Sequence, residues 1–176
     1  MRKRLGVMCS GNGTNFENIV KSCWDHEVVL MIYNNKDCGA VQRAAKYGIP
    51  SAYFTHKEEA KIINEFKWQK VDYIILAGWM RILSEGFVKA FPNRIINVHP
   101  SLLPKYKGLH AVEQAIHSKD KITGCTVHYV NNELDGGEII QQAEVPIFDT
   151  DNTEILTKRI QREEYRILPE VIKKLP

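Results

Sequence analysis

Asn97 and His99 are the first residues whose spacing suggests chemistry, because Arg94-Ile95-Ile96-Asn97-Val98-His99 alternates as a strand does. A period of two puts both polar side chains on one side and turns Val98 away. Pro100 follows directly and restricts the backbone of His99, which fixes the origin of the imidazole. A side-chain amide and an imidazolium facing one carbonyl could stabilise the oxyanion of a tetrahedral intermediate, as acyl transfer to an amine demands. A carboxylate is needed to orient the ring and favour its charged form, and Asp135 in Leu134-Asp135-Gly136-Gly137 is the candidate. Plainer readings exist for each: a histidine can cap a turn, and Asp-Gly is a routine hairpin signal. Spacing alone does not join Asp135 to His99. Covalent catalysis has little support, since Ser101 lacks a Gly-x-Ser-x-Gly elbow and none of Cys9, Cys23, Cys38 and Cys125 sits in an activating context.

A second constellation is Ser10-Gly11-Asn12-Gly13-Thr14-Asn15, which follows a strand-like run and opens a helix. Backbone N–H groups at a helix start, with the positive end of its dipole, suit a phosphate. A dinucleotide fingerprint would need glycine where Phe16 stands and an acid near Asn34-Asn35, and no Gly-Lys-Ser/Thr makes a P-loop. A single phosphate monoester remains, beside a plain glycine turn with Asn15 capping the helix. The loop alone does not choose between them. Farther on, Glu164 interrupts an apolar stripe of Leu156, Ile160 and Leu168, where a carboxylate is costly without a partner. A substrate amine or hydroxyl could be that partner, as could a structural arginine or exposure beside Pro169. Gln161 and Arg162 lie on the adjoining turn.

The elements that must position these groups alternate. Strands are expected over 5–9, 28–33, 52–54, 73–77 and 94–98, with helices over 15–22, 40–47, 57–66 and 85–90. Such alternation implies an α/β fold with a doubly wound, mostly parallel sheet. A helix over 110–117 follows the proline-rich turn 100–108. Strands 124–130 and 139–147 then pair as an antiparallel hairpin through Asp135-Gly136-Gly137, and a terminal helix over 153–174 should be kinked or split by Pro169. Ligands of open α/β sheets lie beyond the carboxyl ends of the strands, which directs attention to 10–15, 78–83 and 99–108.

Composition bounds the rest. The 176 residues suit a single domain, with a first part over about 1–98 and a second over about 99–176. No apolar run approaches the roughly 20 residues that span a bilayer, and the basic Met1 to Arg4 lead into a strand without a cleavage-site pattern. The formal charge of +3 comes from scattered Lys and Arg, which fits a small anionic substrate better than nucleic acid. Four cysteines without a C-x-x-C pair point to reduced thiols, a cytoplasmic location and no metal site.

These motifs together resemble the phosphoribosylglycinamide formyltransferases, a folate-dependent formyltransferase family, over essentially the whole chain. The resemblance is carried by Ser-Gly-Asn-Gly-Thr-Asn at 10–15, Leu-Ala-Gly-Trp-Met-Arg-Ile-Leu at 76–83, Asn-Val-His-Pro-Ser-Leu-Leu-Pro at 97–104 and Glu-Leu-Asp-Gly-Gly at 133–137. It implies a Rossmann-like formyltransferase fold and a catalytic trio of Asn97, His99 and Asp135. It implies 10-formyltetrahydrofolate as co-substrate and glycinamide ribonucleotide as acceptor, with no metal, in a monomer or weak homodimer. Gly13, Thr14 and Asn15 would take the phosphate, and Gln161, Arg162, Glu163 and Glu164 would meet the acceptor. The folate would contact Met80, Arg81, Ile82 and Leu83, the loop Asn131, Asn132, Glu133 and Leu134, and also Asn97 and Asp135. Lys57 is the nearest equivalent of a basic folate contact usual between the third strand and its helix. Tyr33 stands where a small residue is common, Trp79 replaces a usual Phe, and the chain stops at Pro176, earlier than many relatives. Formyltetrahydrofolate hydrolase shares this core but normally carries an extra N-terminal domain, and transfer-RNA formyltransferase would need an RNA-binding domain. A non-catalytic nucleotide-binding module is the reading from another class.

Overall fold

Tyr73-Ile74-Ile75-Leu76 is apolar throughout and buried throughout, the pattern of a strand covered on both faces. A computed structural model, describing residues 1–176, makes it one of seven strands. The order along the chain is β1 (Arg4–Cys9), α1 (Thr14–Ser22), β2 (Glu27–Tyr33), α2 (Ala40–Lys46), β3 (Ser51–Tyr53), α3 (Glu59–Trp68), β4 (Tyr73–Leu76), α4 (Glu85–Ala90), β5 (Ile95–His99), α5 (Ala111–His117), β6 (Ile122–Tyr129), β7 (Ile139–Pro146) and α6 (Thr153–Lys173). The strands form one sheet in the order β3-β2-β1-β4-β5-β6-β7. The pairs β2–β3, β1–β2, β1–β4 and β4–β5 are parallel, whereas β6–β7 is antiparallel. The expected α/β architecture with its antiparallel end is therefore present.

By contacts the chain divides into two compact units, Met1–Asn97 and Val98–Pro176. In the first, Leu5, Val7 and Met8 of β1, Met31 and Ile32 of β2, and Ile74 and Ile75 of β4 are fully buried, with Phe16 and Ile19 from α1 and Ile62 and Phe66 from α3. Phe66 lies directly on β1 because Gly6 leaves room: a Cβ there would stand 2.4 Å from the ring. In the second unit, α6 packs on β6 and β7. Leu156, Ile160, Ile167, Leu168, Val171 and Ile172 are its buried apolar residues, each stabilising by roughly 1.5–3 kcal/mol when taken from water. Asn152 caps this helix, its Oδ1 accepting from the Ile155 amide at 2.8 Å. All four cysteines are free and buried: Cys9, Cys23 and Cys38 in the first unit, Cys125 in the second.

Three expectations need correction. The third helix begins at Glu59, not Lys57, because the side chain of Glu58 is spent on the amide and hydroxyl of Thr55 and holds 55–58 as a turn. Pro169 does not split the terminal helix, which runs unbroken for 21 residues with Pro169 on its buried face. Asp-Gly is also not a two-residue hairpin apex. The pairing of β6 with β7 is antiparallel as expected, but the ladder closes at Tyr129 N to Glu138 O (2.9 Å), leaving 130–137 as a wider loop. In it Asp135 adopts a left-handed φ of 48°, a conformation that costs a non-glycine residue energy and tends to mark functional positions.

Candidate active site

In the first unit the strand order reverses between β1 and β4, and the loops at their carboxyl ends are where ligands of such sheets gather. Ser10 stitches those loops together: its amide donates to the Gly78 carbonyl at 3.0 Å, and its Oγ accepts from the Met80 amide at 2.9 Å. Gly13, at φ 76°, is the N-cap of α1, and no side chain caps the helix. Asn15 sits inside the first turn, which rules out its reading as the cap. The uncapped start leaves the positive end of the helix dipole available to an anion. Beyond β4, Met80 and Ile82 are exposed at 66% and 76%, Arg81 is exposed, and Trp79 is tucked in. Two large apolar side chains presented to solvent at this edge could cover a flat ring. Lys57 is exposed in the turn before α3.

A cavity of about 480 Å³ in the same unit is lined by Arg2, Arg4, Trp24, His26, Glu27 and Gln69, among others. It contains none of the candidate residues. Its lining comes from the amino ends of the strands, the wrong edge for chemistry in a sheet of this type.

The two titratable members of the expected trio, His99 and Asp135, lie in the second unit. His99, at the end of β5, is buried, and its Nδ1 lies 3.5 Å from Oδ2 of Asp135. Both side chains are under 10% exposed, so the pair is shielded from bulk water. Sequence reading proposed this meeting but could not derive it. The other nitrogen, Nε2, lies 2.8 Å from the Tyr106 carbonyl, which can only accept; Nε2 therefore carries hydrogen. With a second proton on Nδ1 the ring faces the carboxylate as an imidazolium. The Gly108 amide donates to Asp135 Oδ2 at 2.7 Å, anchoring the carboxylate. Asn97 occupies the same side of β5 as His99 by strand alternation.

The segment carrying Tyr106 is itself held. Thr126 Oγ1 donates to the Ser101 carbonyl at 2.7 Å and accepts from the Leu103 amide at 3.1 Å. Gln142 Nε2 donates to the Leu103 carbonyl at 3.0 Å, and the Tyr106 hydroxyl donates to Asp120 at 2.6 Å.

One neighbour escaped the sequence reading. His128 of β6, 2% exposed, places Nε2 3.8 Å from Asp135 Oδ1 while Nδ1 donates to the Tyr129 carbonyl at 2.9 Å. Burial above all pushes its pKa down, against the opposing pull of the bond to Tyr129 and, next, of Asp135. The available signal was period two: Thr126 and His128 share one face of the strand.

On α6, Glu164 lies on the buried face with Leu156 and Ile160, as its spacing predicts, and is 7% exposed. Burial, and next the charge of Glu164, push the thiol of Cys125 up to about 12. Gln161 is half-buried and Arg162 exposed. Glu163 is engaged by the fork of Arg166 at 2.7 and 2.9 Å. Residues 131–134 form the exposed outer part of the loop before Asp135, with Glu133 paired to Lys107 at 2.9 Å. No helix is long and apolar enough to cross a membrane.

Comparison with known proteins gives the family of the chain. Residues 3–172 match the formyl transferase family model. The phosphoribosylglycinamide formyltransferase of Haemophilus influenzae is 40% identical over 182 residues, covering 97% of this chain and 86% of the relative. The trifunctional purine biosynthetic protein adenosine-3 of Drosophila melanogaster is 41% identical over 184 residues, but the chain spans only 14% of that longer protein. The crystal structure of glycinamide ribonucleotide transformylase 1 from Symbiobacterium toebii superposes with a TM-score of 0.95 at 38% identity, covering 98% of this chain and 86% of that one. The chain belongs to the phosphoribosylglycinamide formyltransferase family.

Proposed function

We propose that the chain transfers the formyl group of 10-formyltetrahydrofolate to the amine of glycinamide ribonucleotide in purine biosynthesis, giving formylglycinamide ribonucleotide and tetrahydrofolate. The observation that carries this reading is the buried pairing of His99 with Asp135 on the same strand side as Asn97. The amine attacks the formyl carbon, a carbon–nitrogen bond to the acceptor forms, and the one to folate breaks. A proton passes from the attacking nitrogen to the departing one, with Asp135 assisting. The amide of Asn97 and the imidazolium of His99 stabilise the intermediate oxyanion. Because Nε2 already donates to Tyr106, an oxyanion bound there takes the place of that carbonyl.

Gly13, Thr14 and Asn15 hold the ribonucleotide phosphate, and Gln161 to Glu164 contact the acceptor. Met80 to Leu83 and 131–134 receive the pterin, while Lys57 meets an acidic part of the folate. The chain works as a single domain of two halves, cytoplasmic, without a metal, as a monomer or weak homodimer.

The test is to follow deformylated folate by absorbance with and without the ribonucleotide. Consumption that requires the amine is expected. Consumption without it would make the protein a hydrolase, and none at all would make it a binding module.

A further inference from the structure

Three successive carbonyls of the loop between β1 and α1 are occupied from the side of α2 or from α1 itself. The Gly11 carbonyl accepts from the thiol of Cys38 at 2.8 Å and from the Ala40 amide at 3.4 Å. That of Asn12 accepts from Nε of Arg43 at 2.8 Å. The Gly13 carbonyl accepts from the Glu17 amide at 2.9 Å, the first bond of α1. In a planar trans peptide the carbonyl and the following N–H point to opposite sides. Tying down these three carbonyls therefore turns the amides of Asn12, Gly13 and Thr14 the other way, as a concave set of donors.

Arg43 is the charged donor among the groups that hold these three carbonyls, and a carboxylate fixes its guanidinium. Its NH1 is held by Glu17, which also accepts from the Tyr47 hydroxyl at 2.9 Å and pairs with Lys21 and Lys46 at 3.2 and 3.5 Å. One guanidinium thus bridges the carboxylate of α1 and a loop carbonyl, a task for which its rigid fork is suited and an ammonium is not. The contact is close enough to exclude side chains: a Cβ on Gly39 would lie 2.5 Å from Oδ1 of Asn12, and one on Gly13 would lie 2.5 Å from Cβ of Ala40.

We infer that Arg43 is a positioning residue for phosphate recognition: it turns the loop amides toward the acceptor's phosphate by holding the Asn12 carbonyl against α2. This rests on the phosphate reading of the loop given above. Arg43 does not touch the phosphate in this role, and its effect should be confined to acceptor binding.

The experiment compares wild type, Arg43→Lys and Arg43→Gln with the ribonucleotide and with the same acceptor lacking its phosphate. Loss of a charge-assisted bond to the loop should raise the KM for the phosphorylated acceptor on the order of tenfold in both variants, with kcat little changed. The KM for the phosphate-free acceptor should stay at the wild-type value, and inhibition by inorganic phosphate should weaken in parallel. Glu17→Gln, which frees the far end of the guanidinium, should give a smaller change of the same kind. If Arg43→Lys behaves as wild type while Arg43→Gln does not, charge and not geometry is responsible, and the inference fails. A fall in kcat on both acceptors would assign Arg43 to the fold alone and overturn it equally. Should wild type fail to distinguish the two acceptors, the phosphate reading itself falls and the inference with it.

Discussion

The loop after β1 and the cluster around Asp135 are built by opposite means. The first is made of backbone: a glycine cap at φ 76°, uncapped amides, and carbonyls tied back by Cys38 and Arg43. The second is made of side chains, with two imidazoles and a carboxylate within 3.8 Å contacts and little exposure to water. Backbone donors recognise charge and shape but hold no proton that can be moved, whereas the buried cluster can change its protonation and so take part in bond making. Binding defects and turnover defects should therefore separate by region.

The largest expected effect falls on the cluster. Replacing Asp135 by Asn keeps the size of the side chain but removes the charge that faces His99, and should lower kcat by about 10²–10³-fold, the scale of losing a preorganised electrostatic contact. Steady-state kinetics with the acceptor varied should show KM nearly unchanged. A dominant rise in KM would erase the distinction between the regions.

Next comes Gly13→Ala, which imposes a side chain on a left-handed backbone and against Ala40. We expect a loss of stability of about 1–3 kcal/mol in denaturant unfolding, together with a raised acceptor KM. An unaltered KM would mean that the loop geometry is not what the acceptor reads.

The smallest effect concerns pH. His128 is held neutral by burial, so its folded pKa lies below its unfolded value of roughly 6.5. As pH falls through that value the unfolded chain takes up the proton first, and stability declines until the lower folded pKa is passed. Above about pH 7 the contribution is fully present. His128→Asn can keep a bond to Tyr129 without the titration, and should flatten this part of the stability profile between neutral and mildly acidic pH. An unchanged slope would show that the second imidazole does not titrate with folding.

Much of the first unit was legible because each of its elements is local. An apolar run such as 73–76 and a glycine loop before a helix announce themselves within a few residues. The cluster was legible only in pieces. Asn97 and His99 declare a shared face through period two, but Asp135 reaches His99 across 36 positions, a contact set by sheet pairing and not by spacing. The same long-range dependence hid His128, whose meaning comes from the carboxylate it faces. Asn15 misled in the other direction: it has the chemistry of a cap, yet the left-handed Gly13 occupies that position. Glu164 was readable as an anomaly, since the stripe it interrupts is entirely local, while the identity of its neighbours was not.

The four sheltered thiols have a practical corollary. Cys125 is pushed up to about 12 and Cys9 higher still, so neither offers appreciable thiolate at neutral pH. An alkylating reagent can modify them only when the surrounding structure opens. Cys9 reports on one unit and Cys125 on the other, so that mass-resolved labelling rates at these two would time the opening of each half without any engineered probe.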